Sequence, residues 1–128
     1  MWIFTDTGFV SAVRKPEHPD LITVRARDRK SLESLAAKAN VEIKRSPFGD
    51  YPCRVFVSEQ SFNEWLMDRT GELNYENYKS RAAETRGLEF AGALHDVWVA
   101  MLSVEDEDSR EMIHDDEGNI LRHSDDKQ

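Results

Sequence analysis

Four histidines, one cysteine and several clusters of carboxylates are the residues of this chain whose types could do chemistry. His18 sits between Pro16 and Pro19, His95 in a long helical stretch, and His114 and His123 near the C-terminus. No two of them stand at the i, i+4 spacing of an HExxH zinc site, and Cys53 alone cannot build a thiolate site. Asp115-Asp116-Glu117-Gly118-Asn119 has the flavour of a calcium loop. Counted from Asp115, however, Ile120 stands where the loop needs glycine and Asp126 where it needs glutamate. A solvated acidic turn is the expectation there. Gly8, Gly49, Gly71, Gly87, Gly92 and Gly118 are dispersed and form neither GxGxxG nor GxxxxGK[ST], and no GxSxG elbow surrounds a serine. No catalytic residue, metal or cofactor is therefore expected.

The basic residues say more. In Leu21–Arg27 the residues Ile22, Val24 and Ala26 alternate with Thr23, Arg25 and Arg27, the pattern of a half-buried strand. The same parity puts Lys44, Arg54 and Phe56 on the face of Arg25 and Arg27, away from the apolar side that takes Cys53, Val55 and Val57. Basic and aromatic side chains on an open sheet are how RRM-like domains hold single-stranded RNA. The RNP1 pattern itself is missing, since Cys-Arg-Val-Phe-Val carries one aromatic. A solvated face with arginine stems lying over apolar neighbours is the plainer alternative. Trp2 and Phe4 share a face opposite Ile3 and suit either core packing or a partner. Trp65, Trp98, Phe62 and Phe90 are expected in the core, and Cys53 as an inert packed thiol.

The elements that must position these residues follow from periodicity. Ile3 to Val13 around Thr5-Asp6-Thr7-Gly8 predicts a hairpin. Asp28 is placed to cap a helix over 29–39 with Leu32, Leu35, Ala36 and Ala39 on its buried stripe, and Asn40 to end it. Val41–Arg45 and Cys53–Val57 read as strands, and Ser58 caps a helix carrying Phe62, Trp65, Leu66 and Arg69. Asn74 is expected to open a further helix with Tyr75, Tyr78, Lys79 and Ala82 in register, closed by Gly87. Leu88–Val104 is the longest helical stretch, with Leu94, Trp98, Met101 and Leu102 as the stripe that packs on the sheet. The predicted fold is α+β: an antiparallel-rich sheet of about four to five strands with three to four helices mainly on one face.

Charge divides the 128 residues unevenly. Residues 1–104 carry 14 basic and 15 acidic side chains, whereas 105–128 carry 3 and 10. One near-neutral domain over 1–104 and an acidic tail over 105–128 is the expectation. The acids at Glu105-Asp106-Glu107-Asp108 should fray the preceding helix end, because they oppose its dipole. Met112–Leu121 reads as a marginal hairpin or as disorder. No apolar run suits a membrane span, the first residues lack a secretory pattern, and a lone cysteine suits a reducing cytoplasm.

Four separated motifs carry a resemblance: Met1-Trp2-Ile3-Phe4-Thr5-Asp6-Thr7-Gly8-Phe9-Val10-Ser11, Val24-Arg25-Ala26-Arg27, Asp50-Tyr51-Pro52-Cys53-Arg54 and Asn74-Tyr75-Glu76-Asn77-Tyr78-Lys79. Over residues 1–104 the chain resembles small uncharacterised proteins of actinobacteriophages and some bacteria, with Cys53 departing from the aromatic expected after the proline. The resemblance implies no activity. It implies a phage-encoded accessory protein of the host cytoplasm. The candidate surface is Trp2, Arg25, Arg27, Arg54, Phe56, Tyr75, Tyr78 and Lys79. A host or phage protein is the first partner expected, single-stranded nucleic acid the second, and a hydrolase with an unrecognised site the last. The acidic tail would steer a basic partner or mask the basic face.

Overall fold

The computed structural model describes residues 1–47 and 49–111, so the expected hairpin at 112–121 lies outside the described residues. The architecture is α+β. The chain forms two compact units, Met1–Tyr75 and a second beginning at Glu76.

Alternating side chains build the sheet of the first unit. β1 (Trp2–Thr5) and β2 (Gly8–Val13) form the predicted hairpin, with Thr5 opposite Gly8. β3 (Ile22–Ala26), β4 (Lys44–Arg45) and β5 (Cys53–Val57) complete an antiparallel sheet in the order β1-β2-β3-β5-β4. β4 is shorter than the strand predicted over 41–45. Asn40 adopts the left-handed conformation, and the Val41 amide donates back to Ala36 O at 3.0 Å. That bond commits the backbone to a helix C-cap rather than to a ladder.

The helix in question is α1 (Lys30–Ala39). It begins one residue later than predicted, with Arg29 at the cap position, yet Asp28 Oδ1 still accepts the Ser31 amide at 3.2 Å. α1 buries Leu32, Leu35 and Ala36 against β2, β3 and β5. α2 (Glu59–Gly71) starts at Ser58, whose Oγ accepts the Ser61 amide at 3.1 Å, and packs on α1. Its Phe62 and Trp65 join Val10, Val24, Val55, Val57 and Cys53 in one core. Full burial of each large aliphatic or aromatic side chain contributes about 1.5–3 kcal/mol. Trp65 leaves no donor stranded, because Nε1 donates to Ser34 Oγ at 2.8 Å. The hairpin turn is tied to the same layer by a buried ion pair, Arg69 Nη1 to Asp6 Oδ1 at 2.9 Å.

The second unit holds α3 (Tyr78–Arg86) and α4 (Leu88–Met101), packed on each other. Asn77, not Asn74, opens α3, its Oδ1 accepting the Ser80 amide at 2.9 Å. The Asn74 amide donates to Glu72 O in the turn after α2, and the helix begins only at Tyr78. Gly87 separates the two helices at φ +95°, where a side chain would be strained. Of the stripe predicted for the long helix only Leu94 is buried, while Met101 and Leu102 are 56% and 39% exposed. Helix α4 ends at Met101 and a 3-10 turn at Leu102–Val104 breaks the register. The acidic run does not simply fray. It opens α5 (Glu107–Glu111), with Asp106 Oδ1 accepting the Ser109 amide at 2.7 Å. Acids that oppose the dipole at one helix end favour it at the start of the next.

Candidate functional site

Strand pairing decides which side chains on the outer sheet face are neighbours. The register sets Trp2 opposite Ser11, Ser11 opposite Arg25, Arg25 opposite Arg54 and Arg54 opposite Lys44. One row therefore crosses all five strands, running from an indole at one edge to three adjacent cations at the other. With neighbouring strands about 4.8 Å apart, the row is about 19 Å long.

Like charges directly opposite one another destabilise a sheet. Here three are consecutive, and no carboxylate lies within ion-pair distance of Arg25, Arg27, Lys44 or Arg54 among the described residues. The fold spreads this charge over neutral surfaces. Arg25 Nη2 donates to Ser11 Oγ at 2.9 Å, and its guanidinium lies 4.7 Å from the centre of the Tyr51 ring. Arg27, just past the end of β3, approaches the same ring at 4.5 Å and donates to Asp50 O. Nε of Arg25 and Nε of Arg54 are buried donors without an acceptor among the described residues. A buried donor left unpaired costs about 1–3 kcal/mol.

Aromatic side chains border the row on both sides. Phe4 and Phe9 stack at 4.5 Å, and Trp2 meets Phe9 edge-on at 5.6 Å. Trp2 is 69% exposed, which answers the sequence question about it: this indole is not core. On the other side Phe56, paired with Thr23, carries His18 at 4.8 Å between ring centres.

Nothing among the known families, the curated proteins or the solved structures matches this chain. The site must be read from its own chemistry.

Of the residues picked out in the sequence, Arg25, Arg54 and Phe56 share the outer face as the parity predicts. Trp2, whose side the sequence left open, lies on it too, and Arg27 joins them through Tyr51. Lys44 belongs to the same row, although its strand has only two residues. The remaining three fall elsewhere. Tyr75 closes the first unit ahead of any helix, so it does not share a helical register with Tyr78. Tyr78 and Lys79 open α3 in the second unit, where Lys79 Nζ lies 3.2 Å from His95 Nδ1 and 4.9 Å from the Trp98 ring centre. Sequence reasoning missed Ser11, Phe9 and Tyr51. The alternation in β2 carried the signal for Ser11 and Phe9, but Tyr51 lies outside any strand, so no alternation places its ring against two arginines. Among the described residues no helix is long and apolar enough to cross a membrane, and no group of three or more His, Cys, Asp or Glu could hold a metal ion.

Proposed function

We propose that this chain is a non-enzymatic binding protein that takes an anionic partner on the outer face of its sheet. The observation that carries the reading is the uninterrupted succession Arg25, Arg54, Lys44 in directly opposed positions, with no carboxylate at ion-pair distance among the described residues. Such a row raises the energy of the free protein and lowers it again when negative charge lies across the three strands. Binding fits better than catalysis because the face presents guanidinium groups, an ammonium and flat rings, which hold an anion by charge and contact. The buried free thiol of Cys53 suits a reducing cytoplasm, and the phage-related resemblance would make that the cytoplasm of a host cell.

Titration of the full-length chain with tripolyphosphate tests the reading. Binding should be measurable at low ionic strength, fall steeply as salt is raised, and drop at least tenfold in an Arg25→Gln/Arg54→Gln variant that keeps the native circular dichroism. Equal affinity in the variant would refute the assignment to this face. A protein partner with an acidic surface and a phosphate polymer both satisfy this reading.

A further inference from the structure

Resting on that reading, we infer that the partner is single-stranded nucleic acid, held with its phosphates along the Arg25–Arg54–Lys44 row and unpaired bases on the bordering aromatics. Anionic chemistry alone does not require flat rings. Yet the cation row has Trp2, Phe4 and Phe9 at its β1 end and Phe56 with His18 beside it. Single strands present charge and π-faces at short, regular intervals, and stacking on aromatics with cations along the backbone is how sheets hold them. An acidic peptide would use the cations and leave Trp2 idle. At about 3.4 Å per stacked nucleotide, the whole row from Trp2 to Lys44 spans about five or six nucleotides, and its three cations about three of them.

A duplex fits poorly. Its bases are covered, and reading a groove needs a helix or two-stranded ribbon that enters it. The outer face offers instead a row of side chains across five paired strands. Arg25 and Arg27, stacked on the Tyr51 ring, are held in place before any ligand arrives, so less rotamer freedom is lost on binding. The guanidinium N–H donors left after these contacts suit the oxygens of phosphates rather than one fixed carboxylate.

The experiment compares four fluorescent probes on the full-length chain at matched salt: a twelve-residue oligo-dT, the same length of oligo-U, a duplex of that length, and poly-glutamate. The expected result is that an oligonucleotide binds at least tenfold tighter than both the duplex and poly-glutamate, whichever sugar is preferred. Three or four neutralised phosphates give a log–log salt slope of about −2 to −3, and Arg54→Gln or Lys44→Gln makes it shallower by about 0.7. Trp2→Ala should weaken the single strand about tenfold without changing that slope. Lys44 and Trp2 are both exposed, so these two variants remain informative even if Arg54→Gln does not fold. Equal affinity for the four probes, lost with Lys44→Gln but indifferent to Trp2→Ala, overturns the nucleic-acid assignment and leaves the anion-binding reading standing. Preference for the duplex overturns it too. Failure of every probe to bind at low salt removes both readings together.

Discussion

Asp6 lies at the two-residue turn of the first hairpin, buried and paired with Arg69 of α2 at 2.9 Å. Around it Trp65 Nε1 donates to Ser34 Oγ, Ser34 Oγ donates to Thr7 Oγ1, and the Thr7 amide donates to Thr5 Oγ1. This polar cluster binds the β1–β2 turn to both helices of the first unit. Removing Asp6 from this largely buried pair leaves the Arg69 charge, with only 18% of its side chain exposed, short of both partner and water. Asp6→Ala is therefore expected to lower stability by about 3 kcal/mol, read from denaturant unfolding with the slope unchanged. Replacement of both residues, Asp6→Ala with Arg69→Met, should be milder than the single change. A single variant within about 0.5 kcal/mol of the parent chain would mean that the pair is solvated.

At the scale of elements, helix ends explain where the sequence reading and the structure part company. β4 is short because Asn40 and Val41 are spent on the C-cap of α1, and α3 opens at Asn77, whose side chain and not that of Asn74 caps the first turn. α5 exists because Asp106 accepts the Ser109 amide. That bond, with the Ser109 side chain, holds the Asp106 carboxyl below the ordinary aspartate range. A group whose folded pKa is depressed stabilises above its unfolded value, and the contribution disappears as pH falls through the folded one. The Ser109 amide resonance should therefore shift in acid, with a midpoint below that of an exposed aspartate, and Asp106→Asn should abolish that titration. A midpoint at or above the ordinary value would exclude the cap.

For the whole molecule, two compact units with different burial imply different local stabilities. The first encloses a core in which Val24, Val55, Leu32 and Leu35 are fully buried. The second leaves Leu88, Val97, Val99 and Val104 exposed. Cys53 is a natural reporter of the first unit, since its thiol is buried in that core. An aromatic disulfide reagent should label it slowly in buffer, and faster as denaturant rises, in proportion to unfolding of the sheet. Rapid stoichiometric labelling without denaturant would contradict the packing of β5 against α1.

Residue alternation and apolar spacing by themselves determined the hairpin, β3, β5, the buried stripes of α1 and α2, and the sorting of Arg25, Arg54 and Phe56 away from the core. These are local consequences of periods of two and 3.6 residues, and burial on one side enforces them. Only the tertiary structure decided that Arg25, Arg54 and Lys44 are consecutive members of one row ending at Trp2 and that Tyr51 lies under two guanidinium groups. It also put Tyr78 and not Tyr75 in a helix, because Asn77 supplies the cap. Parity assigns a face, but neighbours on that face depend on strand order and register, which are set by contacts between residues far apart in the chain.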